Sequence, residues 1–168
     1  MDAESMPALS VPDPWTAETL SRSRGSGELR LRRPASGTAL DTGADAASGG
    51  DGVLVEVRVE RCTAGRLREA YPVGAHDVEI RVAEGTSPAL LTEVLAVLVG
   101  AIRVADPRCR RAVFAAPVDR PDMVAAAQAA GFRYVLDVDV PGAELSLLVA
   151  EPEWVTCVGM DLDRVPGA

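Results

Sequence analysis

The sequence predicts an α/β fold: a mixed, mostly antiparallel sheet with a central parallel β-α-β unit and helices on both faces. Three observations predict it. Runs of strand length recur at positions 53–59, 77–83, 111–116, 133–140 and 144–150, the first two alternating and rich in β-branched residues. Two helix signatures, each opened by a proline, interrupt the series after the second and the third run. Strands joined by tight turns pair antiparallel, whereas the pair separated by a long helix is free to run parallel.

Taken in order, residues 53–59 (VLVEVRV) place Glu56 and Arg58 on one face and valines on the other. Residues 63–71 make a short helical or irregular connection, closed by Pro72 and Gly74. Residues 77–83 (DVEIRVA) turn Val78, Ile80 and Val82 inward, and Glu84 and Gly85 reverse the chain. Ser87 then supplies an N-cap hydroxyl, and Pro88 a fixed φ that suits the first helical position. Leu91, Leu95, Leu98 and Ile102 recur at helical spacing, with Val94, Val97 and Val99 widening the apolar surface, so this helix is expected to be largely buried. Asp106 and Pro107 stop it. After the strand at 111–116, Pro121 opens a second helix through Ala130, and Gly131 stands where a left-handed C-cap belongs. The last two runs form a hairpin that turns at Pro141 and Gly142.

The first 52 residues have a different texture. Positions 35–52 hold almost nothing large enough to bury and cannot offset an ordering entropy of about 1–2 kcal/mol per residue, so they read as a flexible linker. Residues 28–33 (ELRLRR) alternate and give a possible short strand, while Pro14, Trp15 and Leu20 read as a small docking element or, more simply, a loosely held tail. The expected organisation is a weakly structured lead at 1–52, a folded domain at 53–158 and a polar tail at 159–168.

A length of 168 residues suits one domain. The 25 carboxylates outnumber 17 cations, all of them arginine, and the net charge of −8 argues against nucleic acid and anionic membrane surfaces as partners. Cys62, Cys109 and Cys157 lack CxxC or histidine spacing, which predicts reduced thiols and no metal site. With no apolar leader in residues 1–14 and no uninterrupted apolar span, the expected compartment is the cytoplasm.

The element order, with Ala129, Ala130, Gly131 and Phe132 closing the second helix, resembles the second half of the GCN5-related N-acetyltransferase (GNAT) superfamily, over Val55 to Trp154. Glu56, Tyr71 and Pro72, Asp77 before a strand, Ala105, Asp106 and Pro107 with Cys109, Arg110 and Arg111, and the hairpin around Pro141 look like its siderophore-biosynthesis branch. The resemblance implies a GNAT-like domain with a reduced N-terminal part. It also implies acyl transfer from acetyl-coenzyme A or another acyl-coenzyme A to a small-molecule amine or N-hydroxylamine. The coenzyme would lie along the strand at 77–83 and the following helix N-terminus, where N–H groups and the helix dipole receive phosphate, so Val82, Ala83, Gly85, Thr86 and Ser87 are the candidate cofactor-binding residues. Superfamily loops usually bring several glycines there; this one has a single glycine, an acid at Glu84 and a proline that donates no N–H.

For proton transfer the branch implies a histidine on the strand after Asp77 and an acid in a proline-containing segment further on. The matching positions hold Arg81, which is no general base at neutral pH but can steady an oxyanion or bind a carboxylate, and Val118, with Asp119 brought in by a one-residue gap. His76, alone among the residues in having an intrinsic pKa of about 6.5, sits in a turn beside the strand. Glu79 shares a face with Asp77 and Arg81 and is expected either to activate an amine through water or to pair with Arg81 on an exposed face. The catalytic candidates are therefore His76, Glu79, Arg81 and Asp119, with two readings open: an active N-acyltransferase, or a catalytically degenerate GNAT fold serving as a binding or partner subunit. A protein partner or a homodimer would fit the second.

Overall fold

The computed structural model describes residues 5–35 and 52–153. Among them, seven strands, β1 (Thr16–Arg22), β2 (Ser26–Arg33), β3 (Val53–Arg61), β4 (Val78–Val82), β5 (Ala112–Pro117), β6 (Arg133–Val140) and β7 (Ala143–Ala150), form one sheet in the order β1-β2-β3-β4-β5-β7-β6. Every neighbouring pair is antiparallel except β4 and β5, which are linked through helix α1 (Pro88–Ala105) and run parallel. The second helix, α2 (Pro121–Ala129), joins β5 to β6.

Alternation along the strands sends residues to two cores. Val55, Val57, Val78, Ile80, Ala112, Phe114 and Leu148 face the helices and close over Leu91, Leu95, Leu98 and Ile102 of α1 and Ala126 and Ala127 of α2. The intervening residues Val113, Ala115, Leu145, Leu147 and Val149 face the other way and pack on Cys62 and Leu67. Where the sequence implies helices on both faces, the described helices share one face. The opposite face is covered by the irregular segment 62–77, whose Gly65, Pro72 and Gly74 interrupt any helical repeat while Leu67 still buries completely.

Caps set the helix ends. The Ser87 hydroxyl accepts the Leu90 N–H at 3.3 Å, with Pro88 at the first helical position. At the end of α2, Gly131 has φ +97°, and the Phe132 and Gly131 N–H groups return to the Ala127 and Gln128 carbonyls, a Schellman arrangement. The Thr92 hydroxyl donates to the Ala126 carbonyl at 2.8 Å and fastens the two helices together.

The lead is better ordered than its composition implies. The possible strand at 28–33 lies within β2, which pairs with β3 in unbroken register from Ser26↔Glu60 to Arg33↔Val53. Trp15, expected in a loose tail, is buried with the Arg33 guanidinium 5.2 Å above its ring, and Met6 is buried beside the same core. The correction has a physical reason: β1 is an edge strand that exposes nearly all its side chains, so no hydrophobic alternation marks it, and ladder hydrogen bonds to β2 define it instead. Positions 36–51 of the expected linker, the tail at 159–168 and Cys157 lie outside the described residues.

Candidate functional site

The parallel pair is joined only from Val78↔Ala112 to Ile80↔Phe114. Beyond that point β4 stays with β3 as far as Val57↔Val82, and β5 stays with β7 as far as Pro117↔Leu145. The sheet therefore splits along the line between β4 and β5. At the split lies a cavity of about 520 Å³. It passes from the helix side, at Leu91 and Met123, through Val82, Ala83 and Phe114, to Ala115, Leu145 and Arg66 on the opposite side.

The turn between β4 and α1 forms one wall. Val82, Ala83, Gly85 and Thr86, four of the five expected coenzyme contacts, line the cavity together with Glu84, whereas Ser87 does not line it and is occupied as the N-cap. Gly85 has φ +82° and a Cβ there would meet nothing within 4 Å, so the backbone conformation alone calls for glycine. The Thr86 hydroxyl donates to the Ala83 carbonyl at 2.7 Å. In the first turn of α1, Pro88 has no N–H, Leu90 donates to Ser87 Oγ and Leu91 to the Ser87 carbonyl, which leaves the Ala89 N–H without an intrahelical acceptor at the positive end of the helix dipole.

The acid-base candidates separate. Glu79 points away from the helices and is almost fully buried, and its Oε1 accepts both Arg66 Nε at 3.0 Å and Arg66 Nη2 at 2.7 Å. Its expected pairing with Arg81 is thus corrected: the irregular segment brings Arg66 over the sheet and onto Glu79. Glu79 Oε2 is buried with no hydrogen-bond donor. Arg81 is exposed, lines the cavity and has no carboxylate partner among the described residues. Asp119 occupies the turn between β5 and α2 and does not line the cavity; Arg120, paired with Asp122 at 2.9 Å, does.

His76 lies at the other end of β4. Its Nδ1 is 3.0 Å from Asp106 Oδ2 just past the end of α1, and the same oxygen accepts Arg61 Nη2 at 2.7 Å, while Arg61 Nη1 donates to the His76 carbonyl at 2.9 Å. A helix of 18 residues separates this cluster from the cavity's turn, which removes His76 as a base for chemistry at the split. Burial pushes the Asp106 carboxyl up, but hydrogen bonds from Arg61, His76 and the Arg108 N–H outweigh it and hold it below the usual carboxylate range.

Asp77, one of the residues behind the family resemblance, is also a fastener. Its Oδ2 accepts the Tyr71 hydroxyl at 3.0 Å and the Gly74 N–H at 2.9 Å, and a Cβ on Gly74 would come within 2.9 Å of Oδ1. Burial pushes the Cys62 thiol up to about 12 and Cys109 up to about 11, and Tyr71 is raised for the same reason. Neither thiol is a nucleophile at neutral pH. A smaller cavity of about 170 Å³, bounded by Tyr71, Pro72, Val135 and Leu147, lies toward the start of β5, and its two arginines, Arg111 and Arg133, are both held by Glu151. Among the described residues no cluster of His, Cys, Asp or Glu is suited to a metal ion.

No protein-family model matches the chain, and no curated protein matches it in sequence. Solved structures do. The aminoglycoside acetyltransferase AAC(6')-Ib, in complex with coenzyme A and kanamycin, superposes with a TM-score of 0.56 and 12% identity over 77% of this chain and 68% of that one. An uncharacterized protein from Bacillus halodurans gives 0.51 and 18% identity over 60% of this chain and 56% of that one. The fold is GNAT-like. At such identities the likeness is one of architecture, and the split sheet of this GNAT-like chain has to be read from its own residues.

Arg66, Phe114, Arg120, Met123 and Leu145 are cavity residues that sequence reasoning missed. Phe114 and Leu145 stand on strands the alternation does reveal, so their side of the sheet was legible. Arg66 comes from a segment without a period, and nothing local announces where it lands.

Proposed function

We propose that the protein is an acyl-coenzyme A-dependent N-acyltransferase acting on a small-molecule amine or N-hydroxylamine, of the kind used in siderophore or secondary-metabolite assembly. The observation that carries this reading is the opening of the parallel pair after Ile80↔Phe114 into a cavity that ends at the turn before α1. The backbone N–H and C=O of Val82 face the split, because the odd-numbered residues of β4 bond β3, and have no β5 partner, which suits an extended pantetheine arm docking as an added strand. The Ala89 N–H and the α1 dipole favour an anionic group at the same end. Acyl-coenzyme A, when bound, would supply the acyl thioester.

The chain's own task is to align the amine with the thioester. As the amine nitrogen bonds to the thioester carbon and the carbon–sulfur bond breaks, one proton leaves nitrogen and one must reach the departing sulfur. Glu79 is buried outside the cavity lining and spent on Arg66, so the first proton is proposed to pass to solvent in the open cavity, which the aligned amine also borders.

A second reading, a degenerate GNAT fold that binds without turnover, is favoured by the spent Thr86 hydroxyl, the missing Pro88 N–H and the Glu84 carboxylate at the turn. Titration calorimetry with acetyl- and longer acyl-coenzyme A, followed by thiol release with a panel of amines and hydroxylamines, separates the two. Binding with turnover is the expected result. Binding without turnover selects the degenerate subunit. Neither heat nor a thermal shift at millimolar ligand rejects both.

A further inference from the structure

We infer that the acceptor amine carries a carboxylate and that Arg81 grips it. The inference rests on the acyl-transfer reading for the word acceptor, but its evidence is a separate set of charges. In a chain with a net charge of −8, the cavity at the split is lined by Arg66, Arg81 and Arg120 against a single carboxylate, Glu84.

Two of the three are committed. Arg66 is held by buried Glu79, and Arg120 by Asp122. Arg81 is not, although it borders a second cavity of about 280 Å³ that also exposes Glu28 and Glu56. Each of those acids serves another arginine: Glu56 takes Arg30 at 2.9 Å, and Glu28 lies 3.6 Å from Arg58. The strand register makes the position less comfortable still. Arg81 stands directly across from Arg58, and like charges facing each other across two strands are unfavourable.

An arginine kept opposite another arginine, beside a Glu28 and a Glu56 that serve other arginines, in a cavity where three arginines face the one carboxylate of Glu84, and on the stretch of β4 that has left β5, is placed for an anion from outside. A guanidinium fork matches a carboxylate with two parallel hydrogen bonds. Glu79 lies two residues earlier on the same face, about 7 Å back along the strand. Glu79 itself is buried and lines neither cavity, so the ligand's carboxylate meets Arg81 while its amine lies along the split. The substrate class inferred is thus an amine that bears a carboxylate, such as an amino acid, and not a polycationic amine.

The test is a matched titration. Glycine, lysine and glutamate, each beside its carboxamide, and kanamycin are titrated into the full chain with and without saturating coenzyme A, for wild type, Arg81→Gln and Arg81→Lys. Expected is a preference of about ten- to a hundredfold for acid over amide. That preference should vanish in Arg81→Gln and be weakened in Arg81→Lys, with acetyl-coenzyme A affinity unchanged. Equal binding of acids and amides, a preference for kanamycin, or a preference that survives Arg81→Gln overturns the inference. So does an Arg81→Gln protein that loses coenzyme affinity instead, since Arg81 would then be a phosphate contact. If acetyl-coenzyme A does not bind while the acid preference stands, the acyl-transfer reading fails and the carboxylate site survives.

Discussion

The two ends of the β4–β5 pair are built on opposite principles. At the start of β4, Arg61, His76 and Asp106 interlock, and Arg61 and Asp106 are almost completely buried. At its finish the strands part, a cavity opens, and Arg81 has no carboxylate partner among the described residues. One end satisfies its charges internally and fixes where α1 stops; the other leaves backbone and charge unsatisfied within the protein. The contrast teaches where to look for chemistry: the lone histidine belongs to the closed end, and its neighbours already account for it.

The largest effect should come from breaking the closed end. Asp106→Ala strands the buried Arg61 guanidinium, and a loss of about 3–5 kcal/mol in urea-denaturation stability is expected. The same carboxyl, held below its ordinary range when folded, contributes stability that is present above the unfolded value of 3.8 and is lost as the pH falls through the lower folded value. Urea midpoints measured from pH 6 to pH 3 should therefore fall on acidification, and Asp106→Asn should flatten that fall. A pH profile identical in the variant would show the closed end to be unimportant.

A smaller effect is expected at the open end. Gly85→Val forces a β-branched residue to φ +82° with no steric contact to relieve or worsen it, a cost of about 1–3 kcal/mol that should appear as a lowered Tm and weakened acetyl-coenzyme A binding together. Weakened stability with intact binding would separate the turn from the coenzyme. Smallest of all is the response to thiol reagents. Cys62 and Cys109 should stay unmodified in the native protein at pH 7.5 and react after denaturation, as read by peptide mass mapping, because burial raises both thiols far above that pH.

How much was legible follows the range of the forces involved. The five strands from residue 53 onward and both helices were readable because each is marked by its own periodicity and by local stop signals such as Ser87, Pro88 and Gly131. The turn residues Val82, Ala83, Gly85 and Thr86 were readable too, since a strand end followed by a capped helix locates a turn without knowledge of the rest. Strand β1 was not, because its side chains stay in water, and its neighbours, not its composition, decide its conformation.

The sequence by itself determined the element order, the caps and the faces of the strands, all of which depend on residues within one or two turns of each other. Only the tertiary structure decided that Glu79 pairs with Arg66 and not Arg81, that His76 is spent on Asp106, and that Arg81 is left facing Arg58. Those outcomes are contests between side chains far apart in the chain. Distance and burial settle them, and neither is encoded by spacing along the sequence.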